Sequence, residues 1–95
     1  MIICIVRFET KLSYDEVLEV AKARVPDFKA LKGLIQKYYV QYAEPNTFGG
    51  IYIWDSKESL AQYRASDLAA SIGEAYQATS APKVEIAEGL FPLRD

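Results

Sequence analysis

The chain is expected to fold as an α+β domain of order β-α-β-β-α-β. This is the ferredoxin-like arrangement, a four-stranded antiparallel sheet with two helices on one face. Three observations lead there. β-Branched and aromatic runs stand at Ile2 to Phe8, Leu34 to Ala43 and Phe48 to Trp54, and again within Lys83 to Leu93. Apolar residues recur at helical spacing after Ser13 and after Asp55. The length, 95 residues, suits one domain spanning 1–95 and leaves no room for a second.

Each element has its own local reason. Ile2 to Phe8 is continuously apolar except for Arg7 and reads as a central strand. Ser13 and Glu16 have the spacing of a capping box, in which each side chain satisfies the other's free backbone N–H. Tyr14, Val17, Leu18, Ala21 and Val25 then form one apolar stripe, and Pro26 is expected to close the helix. Leu34 to Ala43 alternates Leu34, Gln36, Tyr38, Val40 and Tyr42 against Ile35, Lys37, Tyr39 and Gln41. Glu44-Pro45-Asn46 is turn chemistry and makes a hairpin with the next strand. There Phe48, Gly50, Tyr52 and Trp54 share one face. Gly49 and Gly50 side by side suggest a bulge or a group packed on the backbone.

Asp55 and Glu58 stand at capping-box spacing before a second helix, whose inner side is Leu60, Tyr63, Leu68 and Ile72. Ser66-Asp67 interrupts it with the chemistry of a new cap, and Pro82 ends the helical region. Because every strand is apolar on both sides, the sheet face without helices is expected to be covered by a second copy of the chain, a homodimer packed sheet to sheet.

Composition narrows the chemistry. There is no histidine, which removes imidazole from acid–base work and metal ligation, and no metal site is expected. Cys4 is the one cysteine and cannot form an internal disulfide. Eleven basic and thirteen acidic residues give a net charge of -2, which argues against a nucleic-acid partner. The start carries no basic residue before its short apolar run, and no stretch reaches the ~20 apolar residues of a membrane span. The expectation is a cytoplasmic protein with no membrane partner.

The segment Trp54-Asp55-Ser56-Lys57-Glu58-Ser59-Leu60, a strand ending in Trp before a polar turn and a helix, resembles the antibiotic-biosynthesis-monooxygenase superfamily. Gly33 to Trp54, with Lys37 and Gly49-Gly50-Ile51-Tyr52, is most similar to its YdhR-like branch. The resemblance implies a dimeric α/β barrel with a pocket between sheet and helices in each subunit. It also implies cofactor-independent oxidation of a small aromatic or phenolic compound by molecular oxygen. The alternative is a non-catalytic small-ligand-binding or stress-response protein on the same scaffold. Many superfamily members carry a histidine nine positions after the Trp; this sequence has Tyr63 there.

The candidate site follows from these residues. Arg7 is expected to hold a substrate oxyanion and Tyr63 to hydrogen-bond the substrate. Trp54 and Tyr52 are expected to stack on its ring, with Lys37, matching a lysine of the resembling branch, as a further binding residue. No residue stands out as a base near neutral pH. The structural reading of the same residues is core packing for Trp54 and Tyr63, an ion pair for Arg7 and a solvated edge charge for Lys37.

Overall fold

A computed structural model describes residues 1–95. The chain runs β1 (Ile2–Glu9), α1 (Tyr14–Lys29), β2 (Leu34–Gln41), β3 (Thr47–Trp54), α2 (Lys57–Arg64), α3 (Asp67–Ala70), α4 (Ile72–Ala75) and β4 (Lys83–Glu88). The strands make one sheet of order β2-β3-β1-β4, antiparallel at every pairing. This is the expected ferredoxin-like α+β fold. No helix is long and apolar enough to cross a membrane.

Register assigns the two faces. Cys4 pairs with Tyr52 and Ile86, Phe8 with Phe48, and Ile2 with Trp54. These residues share the face on which the helices lie. Their core partners are Val17, Ala21 and Phe28 of α1, Leu60 and Tyr63 of α2, and Ile72 of α4. The other face carries Ile3, Ile5 and Arg7 of β1, with Ile51 and Ile53 of β3 across from the isoleucines. No helix covers it. Within β2 the register shifts between Leu34 and Gln36, so Leu34 sits with Trp54 while Lys37 and Tyr39 also face the helices, beside Tyr52 and Gly50.

The capping box at the start of α1 forms in both directions: the Ser13 N–H donates to Glu16 Oε1 at 2.9 Å, and the Glu16 N–H donates to Ser13 Oγ at 3.2 Å. Pro26 does not end this helix. It lies inside α1, and the chain continues for another turn because that turn buries Phe28 against the sheet. The backbone partner that Pro26 lacks would serve the carbonyl of exposed Lys22, where water can take its place. Tyr14, expected in the apolar stripe, is exposed at the helix start.

The cap of α2 is Ser56 rather than Asp55; its hydroxyl accepts from the Ser59 N–H at 3.1 Å. The Ser59 and Ser56 hydroxyls beside Asp55 hold its carboxyl below the usual carboxylate range. Ser66 caps α3, as its position after the first helical segment predicts. β4 stops at Glu88, short of the apolar residues to Leu93; one last backbone bond, from the Gly89 N–H to the Met1 carbonyl at 2.7 Å, closes its pairing with the start of the chain.

The paired glycines of β3 mark close approach, not a bulge. A Cβ on Gly49 would stand 2.1 Å from the Val6 carbonyl oxygen, and one on Gly50 would meet the Tyr52 ring at 3.0 Å and the Lys37 stem at 3.2 Å. The left-handed backbone of Asn46 (φ 60°) completes the turn into β3, a conformation asparagine tolerates.

Candidate functional site

Strand alternation places Tyr52 and Trp54 side by side on the covered face, and α2 lays Tyr63 over both. The Tyr52 and Trp54 rings are stacked within 5° with centroids 6.5 Å apart. Tyr63 is 5.2 Å from Trp54 and 5.7 Å from Tyr52. Phe28 closes the group at 6.0 Å from Tyr63. Such separations are those of favourable tilted and offset aromatic pairs.

The cluster contains two polar atoms with no hydrogen-bond partner, Trp54 Nε1 and Tyr63 Oη, both buried. Leaving such groups unpaired in an interior costs about 1–3 kcal/mol each, so an acceptor that met either hydrogen would be gained at full value. Burial raises the Tyr63 phenol above its ordinary value against the opposing influence of the Tyr52 hydroxyl beside it, and burial together with the Tyr63 hydroxyl raises Tyr52 further. Both are neutral donors at pH 7 and neither is a base.

Trp54 has zero exposure and is absent from the lining of the cavity beside Tyr63; its indole packs against Tyr63. Tyr52 borders only a void of about 20 Å³ in the core. The larger space is next to Tyr63. A cavity of about 230 Å³ opens there between β1, the edge strand β4 and the helical segment, lined mostly by apolar groups such as Cys4, Val6, Ile72 and Val84. Burial pushes the Cys4 thiol up, which keeps it protonated.

Arg64, the last residue of α2, lines the same cavity. It is exposed and has no carboxylate partner, since the chain's one ion pair lies elsewhere. Sequence reasoning missed it. The available signal was its place directly after Tyr63 at the end of the helix, but only the pairing of β4 with β1 brings the cavity to it.

Arg7 is not part of this group. It points from the uncovered face of β1, where its guanidinium bonds Glu44 Oε2 at 3.2 Å and lies 4.7 Å from the centre of the Tyr42 ring. Its expected convergence with Trp54 and Tyr63 is therefore corrected. Odd-numbered residues of β1 face away from the helices, and an oxyanion would have to displace a carboxylate already in place.

Lys37 is on the covered face, but not at the Tyr63 cavity. Its ammonium nitrogen stands 3.4 Å from the Phe28 ring centre, 4.4 Å from Tyr39 and 4.6 Å from Tyr52. Burial among these rings, with the Arg24 charge nearby, lowers its pKa to about 7. The solvated edge charge is thus replaced by a half-buried amine, and a base near neutral pH exists after all. No three His, Cys, Asp or Glu side chains converge to form a metal-ligand set.

Similarity to known proteins follows the fold. A solved protein of unknown function from Nitrosomonas europaea, NE2512, superposes with a TM-score of 0.78 at 20% identity, covering 96% of this chain and 90% of its own. SnoaB, a cofactor-independent oxygenase from Streptomyces nogalater, superposes at 0.76 with 14% identity, over 99% of this chain and 97% of its own. A protein from Deinococcus radiodurans described as a putative antibiotic biosynthesis monooxygenase gives 0.75 at 13% identity, over 100% and 98%. No curated protein matches the sequence. At these identities the superpositions establish the shared fold. The family profile described as "Putative mono-oxygenase ydhR" matches residues 3–90, nearly the whole chain, and the protein belongs to that family.

Proposed function

We propose that the protein is a cofactor-independent monooxygenase that oxidises a small phenolic compound with molecular oxygen, and that it works as a homodimer. The observation that carries this reading is a largely apolar cavity lined by Tyr63, whose own hydroxyl is buried without a hydrogen-bond partner, and by Arg64, whose guanidinium has no ion pair. At about 230 Å³ the cavity is below the roughly 300–1,000 Å³ of ordinary small-molecule sites, which favours one or two rings over three.

In this reading the phenolic oxygen binds Arg64, whose positive charge favours the phenolate. Tyr63 donates a hydrogen bond to the same oxygen and strengthens it as negative charge builds. Tyr52 and Trp54 act through Tyr63, fixing its ring; Lys37 does not line this cavity. The phenolate passes one electron to oxygen, and the two radicals combine at the ring carbon para to the phenolic oxygen. Loss of the hydrogen on that carbon as a proton, with cleavage of the O–O bond, leaves a carbonyl. The substrate loses two hydrogens and keeps one oxygen atom, and the other oxygen leaves as water.

The second copy is argued from the uncovered sheet face, where Ile3, Ile5, Ile51 and Ile53 lie with Tyr38, which is 56% exposed. An apolar face of this kind favours a matching partner surface.

The test is oxygen uptake by the pure protein with 1,5-dihydroxynaphthalene, which would yield the corresponding hydroxynaphthoquinone. Uptake faster than the protein-free background supports the reading. Uptake at background, together with a rise in melting temperature and no consumption of the naphthol, would replace it with the non-catalytic binding protein.

A further inference from the structure

A cavity of about 260 Å³ opens at the sheet edge between β2 and the end of α1. Val25 and Phe28 of α1 and Leu34 and Ile35 of β2 give it an apolar wall. Lys29, Gln36 and Lys37 also line it, and no lining residue is acidic. The irregularity at the start of β2 makes this combination. Unbroken alternation would put Leu34 and Lys37 on opposite faces, whereas the register shift between Leu34 and Gln36 turns both toward the helices.

Lys37 Nζ lies within 4.6 Å of the centres of the Phe28, Tyr39 and Tyr52 rings, a cation–π setting that favours the ammonium. Rings are not a counter-ion, however, and the chain's one ion pair joins Arg7 to Glu44, so neither Lys37 nor Lys29 has a carboxylate partner. The other charge beside Lys37 is again positive: the Arg24 guanidinium, 5.8 Å from the centre of the same Phe28 ring. Gln36 Oε1 accepts the Lys37 backbone N–H at 3.0 Å, which leaves the amide NH₂ to donate elsewhere.

From this geometry we infer that the β2-edge cavity binds a small aromatic carboxylate, its anion held by the Lys37 ammonium and by Lys29, its ring by Phe28 and Leu34. Cations gathered without an anion repel one another, and a bound carboxylate relieves that repulsion and accepts the ammonium hydrogens. The apolar wall favours a ring over a fully hydrated anion, and the volume suits one or two rings. The Lys37 pKa, lowered to about 7 by burial and by Arg24, agrees with a site that lacks its counter-ion. Neither Tyr63 nor Arg64 lines this cavity, so the inference is independent of the oxygenase reading and can fail separately.

The experiment is calorimetric titration of the whole protein with 2-naphthoate and with uncharged 2-naphthamide, at pH 6 and low salt, where Lys37 carries its proton. The carboxylate is expected to bind at least ~10-fold more tightly than the amide, and more tightly than inorganic phosphate. Lys37→Met should weaken naphthoate ~10-fold or more, and exposed Lys29→Met roughly 3-fold. Arg64→Met should leave its affinity unchanged. Absent naphthoate binding, or equal binding by the amide or by phosphate, overturns the proposal in the unmodified protein. Affinity lost in Arg64→Met but kept in Lys37→Met also overturns it, since the carboxylate then occupies the Tyr63 cavity.

Discussion

Tyr63 and Trp54 pack with ring centroids 5.2 Å apart, and neither the phenol oxygen nor the indole nitrogen has a hydrogen-bond partner. The two atoms differ in what surrounds them. Tyr63 borders the cavity, and Trp54 borders nothing but the core.

That difference separates function from stability. Tyr63→Phe removes an unpaired buried hydroxyl and keeps the ring, so the melting temperature is expected to hold or rise, while turnover falls ~10–100-fold through the lost hydrogen bond. Trp54→Phe leaves a hole in the core and is expected to cost about 1–3 kcal/mol in denaturant unfolding. A Tyr63→Phe protein that melts far lower than the parent, or turns over equally fast, contradicts this assignment.

Two arginines can be told apart in the same assay. Arg64→Met is expected to lower kcat/KM for the naphthol ~10-fold or more, equivalent to about 1.4 kcal/mol of lost transition-state stabilisation. Arg7→Met removes an ion pair between side chains 38% and 56% exposed, worth at most about 1 kcal/mol of stability, and leaves turnover as it was. The reverse pattern would restore the role first expected of Arg7.

Much of this fold was legible in the sequence because its signals are local. The caps at Ser13 and Ser66 needed only the residues within one turn, and strict alternation in β3 put Phe48, Gly50, Tyr52 and Trp54 on one face. The side of the sheet that Arg7 occupies was not legible, since both faces of β1 are apolar. Only the pairing of β1 with β3 and β4 settles it. Asp55 misled because a carboxylate and a serine both cap helices, and they are adjacent here. The environment of Lys37 depends on Phe28, which belongs to a helical turn that Pro26 argued against. Arg64 lacked any local mark, because β4 completes its cavity from the far end of the chain.

The Lys37 amine also sets a pH dependence of stability. Its pKa is about 7 in the folded chain and 10.5 in its ordinary setting, so above pH 7 the unfolded state binds the extra proton. Stability is therefore expected to rise with pH from about 7 to 9, by at most ~1.4 kcal/mol per pH unit. Above that, Cys4 and the buried tyrosines, all raised, act in the opposite sense. Lys37→Met is expected to abolish the rise and to stabilise the protein at pH 6. Urea midpoints of both proteins at pH 6, 7, 8 and 9 measure it, and parallel curves would contradict it.

The uncovered sheet face gives an assembly prediction. Ile51→Glu places a carboxylate among Ile5 and Tyr38, its neighbours on β1 and β2. Sedimentation equilibrium is expected to show a dimer for the parent and a monomer for the variant. A parent that sediments as a monomer removes the second copy.

Oxygen-18 incorporation tests the central claim most directly. The protein is incubated with 1,5-dihydroxynaphthalene under labelled oxygen gas and the quinone is weighed by mass spectrometry. The expected result is one labelled oxygen atom per quinone, formed at a rate that Tyr63→Phe lowers at least ~10-fold without lowering the melting temperature. Product without label, or labelled product formed equally fast by Tyr63→Phe or by buffer alone, would contradict it.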